Sequence, residues 1–503
     1  MAADAPAQAH LMFWRTFARL LSVGVALTEA LAVASTSCMD DALADALAAA
    51  GARVKEGDTF SGAMAQRPDV FAEAIVSMVE AGERTGKLDS IAGLIAEGWE
   101  AGQWPACAAA APEQTQPSAA AQGGQIFDAI VRDALAAKAS ELHLEPLETE
   151  ARVRRRIDGM LLEERKLSLA DHVAVVARIK SLAGLDVAER RLPQGGHILL
   201  DLDDRRVDLR VHISPNVLGE TVALRLLDKM ASPLSLAHLG LSPQQLATLE
   251  DWRQRPSGLI VVTGPAGSGR TTTLYSMLSQ LNLPDRKLAT VESPVELVLE
   301  GVCQMDASGG MSYADAVQAQ LRQDPDVLMI GELHDDATAW LAVQAAMTGR
   351  LVLTTLHTTS AAAGLRRLVD MGISPYLVND TLVGVVSQRL VRVLCGECKS
   401  RRHPDDEEME AMALPFHMDK PTIYDPASCE RCHHTGYLGR TGVFEVLEPT
   451  EKIARALEQR YGAQDLHQVA VENGMKPLHQ EAIAKVVDGL TSLEEALRTT
   501  RWG

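Results

Sequence analysis

The sequence predicts a multidomain chain: an N-terminal α-helical bundle, then an α+β domain, then an α/β domain with an inserted cysteine module. Three observations predict it. The chain has 503 residues, several times the roughly 100–200 of a single domain. Its hydrophobic periodicity changes along the length. Apolar residues recur at three and four before residue 100, alternate in short runs after 140, and follow a helix–strand–helix order after 236. Residues 101–124 have no period and are rich in Ala, Pro, Gln and Gly, the composition of a flexible linker. The boundaries that follow are 1–100, 101–124, 125–235 and 236–503, with the cysteine module at 395–435.

Composition narrows the function classes. Hydrophobic residues at 47% and charged residues at 23% are ordinary for a globular chain and exclude a disordered one. Aromatic residues are only 4%, so aliphatic, alanine-rich cores are expected. Lys+Arg 48 against Asp+Glu 67 gives a formal charge of -19, which leaves room for local basic pockets but disfavours a nucleic-acid partner. The most apolar stretch, Leu20–Ala34, contains Glu29 and follows Arg15 and Arg19. It is too short and too charged to span a membrane. It resembles a signal peptide in outline, but an amphipathic helix accounts for it better.

The helical region is justified by Phe13, Phe17, Leu20 and Leu21, then Leu27, Ala30 and Leu31, with Gly51, Gly57 and Gly86 as punctuation. The α+β region opens with a helix over Ile126–Lys138 and continues into strands such as Ala151–Arg156 and Arg206–Val211. Leu259–Thr263 then reads as a buried central strand. It runs into Gly264-Pro265-Ala266-Gly267-Ser268-Gly269-Arg270-Thr271-Thr272-Thr273 and a helix over Leu274–Leu281. Strand, glycine loop and helix in that order form a phosphate-binding loop. The glycines let backbone N–H groups face phosphates, and the helix N-terminus adds a positive dipole. Thr271 offers the hydroxyl that would ligate Mg²⁺. Arg270 occupies the place of the expected lysine. Arginine is a planar fork with different reach from a compact ammonium. Binding should survive because the cradle is mostly backbone, whereas a hundredfold loss of rate would need only about 2.7 kcal/mol of misplaced charge.

Three further strand ends carry polar groups toward the same edge. Val327–Ile330 ends in Gly331-Glu332, Ala289–Val291 precedes Glu292 and Glu296, and Leu351–Leu356 precedes His357. In an open α/β sheet that edge is the ligand crevice. Glu332 would hold Mg²⁺ or the attacking water. His357 taken alone fits a hydrogen-bonded core histidine as well as a site residue, and Glu296 reads as a solvated charge.

Seven cysteines are an odd number, and four of them form two C-x-x-C knuckles, Cys395/Cys398 and Cys429/Cys432. Each knuckle sets two thiolates on one side of a tight turn, and together they would complete a tetrahedron for Zn²⁺. A disulfide framework is disfavoured in a reducing compartment. His433 and His434 are rival ligands, Asp405–Glu410 reads as a solvated acidic run, and Cys38, Cys107 and Cys303 read as inert.

These motifs together make residues from about 125 to the end resemble the type II secretion and type IV pilus assembly ATPases. The resemblance rests on HLEP (His143–Pro146), VRRRIDG (Val153–Gly159), AGLDVAERRLPQGG (Ala183–Gly196), VDLRV (Val207–Val211), GETVALRLL (Gly219–Leu227), LRQDPDVLMIGELHD (Leu321–Asp335) and TGRLVLTTLHT (Thr348–Thr358). It implies a RecA-like P-loop NTPase domain with an inserted zinc module, working as a homo-hexamer on Mg-ATP to assemble pseudopilins or pilins. The implied cofactors are ATP, Mg²⁺ and Zn²⁺. Inner-membrane platform and cytoplasmic-ring proteins are the implied partners, and they would hold the chain in the cytoplasm, peripheral to the inner membrane. The resemblance also assigns Arg210 and Arg225 to the γ-phosphate, where an arginine would neutralise charge on the transferring group.

Departures from the family pattern cluster at nucleotide-facing positions: Arg270 for lysine, Ser293 for aspartate, His334 for arginine, Ala337 for glutamate, Pro193–His197 in a weakened motif, and Arg350 for histidine. They predict impaired hydrolysis on an unchanged fold. The competing reading is a catalytically weak paralogue that serves as a nucleotide-binding scaffold; a nucleic-acid-transport ATPase is disfavoured. FWRTFARLLSVGVALTEAL (Phe13–Leu31), VKEGDTFSGAM (Val54–Met64), PDVF (Pro68–Phe71) and MVEAGERTGKLD (Met78–Asp89) resemble the cytoplasmic helical domain of the platform protein of the same machines.

Overall fold

The computed structural model describes residues 5–36, 38, 40–100, 119–202, 205–227, 235–414 and 419–500. The chain divides into two compact units, residues 1–116 and 117–503.

Among the described residues, the regular elements of the first unit are helices: α1 (Ala5–Ser22), α2 (Leu27–Ser35), α3 (Asp41–Glu56), α4 (Phe60–Met64), α5 (Glu73–Thr85) and α6 (Leu88–Glu100). Asp40 caps α3 by accepting from the Leu43 amide, and Thr59 caps α4 through Gly62. Each such cap contributes about 1 kcal/mol. Gly57 and Gly86 close α3 and α5 in the left-handed conformation that glycine adopts at least cost. Gly51, expected as punctuation, lies instead inside α3. The alanine-rich turns around it outweigh the roughly 1 kcal/mol that a helical glycine costs. The core also departs from the aliphatic expectation. Phe13, Trp14, Phe17, Phe60, Phe71 and Trp99 are all buried together here, so aromatics carry much of the core of the smaller unit.

The second unit opens with α7 (Ala119–Ala136). Residues 119–124, read as the end of a linker, are therefore helical. The glycines that suggested flexibility permit packing: a Cβ on Gly123 would lie 2.7 Å from the Ala174 carbonyl oxygen. The chain continues through β1 (Glu141–Pro146), β2 (Ala151–Ile157), β3 (Met160–Leu167), α8 (Leu169–Leu182), β4 (Gln194–Leu202), β5 (Arg205–Asn216) and β6 (Gly219–Leu227). These strands form a six-stranded antiparallel sheet ordered β3-β2-β1-β6-β5-β4. Phe127, Ile130 and Val131 of α7 and Val175 and Ile179 of α8 share one core with the sheet.

Next come α9 (Pro243–Trp252), β7 (Gly258–Thr263), α10 (Arg270–Leu281), β8 (Leu288–Glu292), β9 (Val302–Asp306), α11 (Tyr313–Leu321), β10 (Val327–Ile330), α12 (Asp336–Met347) and β11 (Leu351–Leu356). They are followed by α13 (Ala361–Asp370), α14 (Pro375–Thr381), β12 (Leu382–Leu394), β13 (Ser400–Arg402), α15 (Asp406–Ala411), β14 (Ile423–Asp425) and β15 (Tyr437–Leu447). Helices α16 (Glu451–Glu458), α17 (Ala463–Glu472), α18 (Leu478–Val487) and α19 (Leu493–Thr500) follow. The second sheet is ordered β15-β12-β7-β11-β10-β8-β9, parallel except at its β12–β15 edge. Every residue of β7, β8, β10 and β11 is buried. Alternate residues serve opposite faces: Leu259 and Val261 join one core, Ile260 and Val262 the other. This is why these strands read as continuous apolar runs.

Candidate functional site

Four neighbouring parallel strands end together. Thr263 of β7 is level with Leu356 of β11, and Ile330 of β10 is level with both Thr354 of β11 and Val291 of β8. The residues that leave these ends are Gly264, His357, Gly331-Glu332 and Glu292, so the sheet register alone brings them to one edge.

The loop from Gly264 to Gly269 is built for close backbone approach. Gly264 has φ 153°, and a Cβ there would lie 2.4 Å from Ser268 Oγ and 2.6 Å from the Gln388 carbonyl oxygen. Gly267 has φ 74° with open space where a side chain would be, and Gly269 caps α10 at φ 87°. Pro265, Ala266 and Gly267 are exposed at the tip, whereas Ser268 is buried with its Oγ lacking a hydrogen-bond partner. A buried hydroxyl without a partner, in a glycine loop at the N-terminus of α10, fits an anionic ligand.

Arg270, Thr271, Glu292, Glu296, Glu332, His334 and Tyr313 line one cavity of about 190 Å³. Thr271 and Glu332 thus face the same space, a donor set that fits a hard cation such as Mg²⁺. Glu296, read as a solvated charge, is half-buried at this cavity, because the turn after β8 folds back over the strand ends. Thr272 points away from it and lines a second cavity of about 220 Å³ with Asp158, His238, Gly269, Thr273, Arg440 and Phe444.

The Arg270 side chain folds back over the loop. Its Nη1 donates to the Gly264 carbonyl, to the Leu356 carbonyl at 3.2 Å and to His357 Nδ1 at 2.7 Å. Burial draws its guanidinium below the ordinary value, while Glu332 and Glu296 act the other way. His357 is exposed rather than a core residue, and its Nε2 lies 2.8 Å from Glu332 Oε1. The guanidinium meets both ring nitrogens, since Arg270 Nη2 also lies 3.0 Å from His357 Nε2. His334 Nδ1 lies 3.7 Å from the same Glu332 oxygen.

Glu292 is placed differently. It is buried, and it accepts from Tyr275, from Thr290 Oγ1 at 2.6 Å and from Gln304 Nε2 at 3.2 Å. Burial raises its pKa above the ordinary carboxylate range against those three donors. Burial likewise raises the Tyr275 phenol, helped by Glu292. Glu332, with fewer internal partners, is the freer carboxylate. Arg210 and Arg225 face each other across the β5–β6 ladder. Neither is among the residues that line the cavity of Thr271 and Glu332. Arg210 Nε is buried without a hydrogen-bond partner, and Arg225 is exposed.

Sequence reasoning missed Tyr275, Tyr313 and Gln388. Tyr275 follows Thr271 by one helical turn, a spacing that could have revealed it. Gln388 carried no signal: it reaches the loop from β12, donating to the Ser268 carbonyl at 2.7 Å and accepting from Thr273 Oγ1 at 2.8 Å.

Cys395, Cys398, Cys429 and Cys432 converge, with all four sulfurs within 4.8 Å of one another. The Cys395–Cys429 and Cys398–Cys432 Sγ separations are both 3.8 Å, and Cys429–Cys432 is 3.6 Å. The cluster could hold a metal. His434 is engaged elsewhere, 2.9 Å from Ser428 Oγ, and neither it nor His433 joins the cluster. The acidic run is not simply solvated. Asp405 and Glu408 form a capping box on α15, and Arg402 donates to both Glu408 oxygens at 2.5 and 2.6 Å. Cys38 and Cys303 are free thiols, and Cys107 lies outside the described residues.

Residues 119–498 match the family described as "Type II/IV secretion system protein", and residues 13–102 match "Type II secretion system (T2SS), protein F". Type II secretion system protein E of Pseudomonas aeruginosa is 43% identical over 381 residues, 75% of this chain and 75% of that protein. The type IV pilus assembly ATPase PilB of Myxococcus xanthus is 40% identical over 381 residues, 75% of this chain and 67% of its own length. Among solved structures, the pilus retraction motor PilT with bound ADP superposes with TM-score 0.52 at 26% identity, covering 74% of this chain and 96% of PilT. The Legionella pneumophila ATPase DotB, at 21% identity and TM-score 0.57, covers 77% of this chain and 96% of its own and shares the fold. A glycine loop and two carboxylates at the ends of neighbouring parallel strands define the class, an α/β protein with its crevice at the carboxyl edge of the sheet. The chain belongs to the type II/IV secretion system protein family, with a protein F domain at its N-terminus.

Proposed function

We propose that this chain is the motor subunit of a type II secretion or type IV pilus assembly machine, binding Mg-ATP at the loop Gly264–Thr272 in a RecA-like domain and coupling its hydrolysis to pseudopilin or pilin assembly. The observation that carries the reading is the shared cavity of Arg270, Thr271 and Glu332, set at the ends of adjacent parallel strands. The backbone amides of the loop would hold the phosphates, and Thr271 would ligate Mg²⁺. Glu332 would hold the attacking water, its orientation kept by His357. Glu292 would act through the hydrogen-bonded wall behind the cavity. Arg210 and Arg225 would reach a nucleotide only across an assembly or after a domain movement. A homo-hexamer supplies both, and platform and cytoplasmic-ring proteins would hold it at the inner membrane.

Hydrolysis should be slow. Arg270 carries the required charge in the wrong shape, and Ser293 and Ala337 remove carboxylates from the neighbourhood. A nucleotide-binding scaffold is the second reading, favoured by the internal engagement of Arg270. The cysteine cluster would be structural zinc: a Zn–S bond of about 2.3 Å makes a tetrahedral edge of about 3.8 Å, close to the observed sulfur separations. Calorimetric titration of Mg-ATP beside steady-state phosphate release, on the full chain, tests the reading. Micromolar to low-millimolar affinity with slow release supports it, and absence of nucleotide binding refutes it.

A further inference from the structure

We propose that Arg270 and His357 form a latch that closes the phosphate loop upon itself, so that a nucleotide phosphate enters only when the guanidinium leaves the imidazole. The inference rests on the nucleotide-binding reading above and concerns what that site does before nucleotide arrives.

The latch is built from both sides of the loop. Arg270 begins α10, yet its side chain returns to Gly264, the first residue of the loop, and to Leu356, the last residue of β11. It thereby bridges the ends of two neighbouring strands, β7 and β11. His357 is the third anchor: Arg270 Nη1 lies 2.7 Å from its Nδ1 and Nη2 lies 3.0 Å from its Nε2. The imidazole also meets Glu332, whose Oε1 lies 2.8 Å from Nε2. Glu332, His357 and Arg270 form one line of contacts: carboxylate, imidazole, guanidinium. A lysine at 270 has no planar fork to lie against the ring, so the latch belongs to the arginine.

A phosphate oxygen is a stronger acceptor than a carbonyl or a neutral imidazole, since charge-assisted bonds are roughly twice as strong. Nucleotide therefore opens the latch, but apparent affinity falls by the fraction of molecules that are closed. Removing one of the three anchors should raise the open fraction, and a net hydrogen bond of ordinary strength corresponds to about three- to tenfold.

The test is calorimetric titration of Mg-ATP into the full chain. H357A should bind about three- to tenfold more tightly than wild type. H357N, whose amide oxygen can take the place of Nδ1, should lie nearer to wild type than to H357A. In an R270A background, H357A should change nothing, because the partner is gone. H357L has no acceptor at either ring-nitrogen position and repeats the test should H357A fail to fold. Equal or weaker binding by folded H357A and H357L overturns the latch while leaving nucleotide binding intact. No binding by any variant or by wild type removes the nucleotide reading and the latch with it.

Discussion

Asp158 Oδ2 accepts the backbone N–H of Gly439 at 2.7 Å, joining the turn between β2 and β3 to β15 of the other sheet. The same carboxylate lies 3.7 Å from Arg440 Nε, and nearby Arg392 Nη1 approaches Met160 Sδ at 2.6 Å. Asp158 sits at φ 49°, the left-handed conformation that Asp and Asn tolerate best among residues with a side chain. It also lines the cavity of Thr272 and Arg440. Asp158→Ala should cost about 1–3 kcal/mol of stability, by orphaning the Gly439 amide and straining the turn. Asp158→Asn should keep most of it. Thermal unfolding of the two variants decides the point; equal melting would mean that the hairpin contact contributes nothing.

Restoring lysine should help only in part. Arg270→Lys releases the imidazole and supplies a compact charge, but Ser293, His334 and Ala337 remain. A rise in phosphate release of up to about tenfold is expected, worth about 1.4 kcal/mol. Glu332→Gln should remove turnover by 100-fold or more, on the order of 3 kcal/mol, while Mg-ATP still binds. If wild type turns over quickly and Arg270→Lys slows it, the site has been rebuilt around arginine and the argument for impairment is wrong.

The cysteine cluster should contain about one zinc per chain, measurable by elemental analysis. Chelation or Cys432→Ser should lower the melting temperature, because Cys395 and Cys432 are buried and would be left without their shared ligand. A zinc-free preparation with reduced thiols and undiminished stability would count against a metal site.

The first unit should be acid-labile in a defined window. His10 is 4% exposed and stacks on Trp99 with ring centres 4.5 Å apart. Its pKa falls to about 4, because burial outweighs the opposing charge of Asp40. Between the unfolded value near 6.5 and about 4, the unfolded chain binds the proton and the folded one does not. Stability is therefore complete above pH 6.5 and declines as pH falls to 4, by roughly 3 kcal/mol from this group. A fragment of residues 1–116 should fold cooperatively and show this loss, and His10→Gln should flatten it. An unchanged acid limb in the variant would assign the loss to other groups.

The order of elements and the strand ends were determined by the sequence, because fully buried parallel strands need continuous apolar runs and glycine loops need their residue types locally. Val327–Ile330 and Leu351–Leu356 are strands to the residue. The same local chemistry singled out Arg270, Thr271, Glu332 and the four cysteines as candidates. Tertiary structure alone decided their relations. Glu292 and Glu332 look alike at two strand ends and line one cavity, yet Glu292 is buried and tied to Tyr275, Thr290 and Gln304 whereas Glu332 lies beside His334 and His357, because β8 and β10 carry different neighbours. Gly123 reads as flexible in sequence and is rigid in the fold, since only contact with Ala174 reveals why a side chain is excluded. The Arg270–His357 contact spans 87 positions and depends on β7 lying beside β11. Periodicity reports what each segment buries; which segments become neighbours is set by the sheet order that burial and hydrogen bonding choose together.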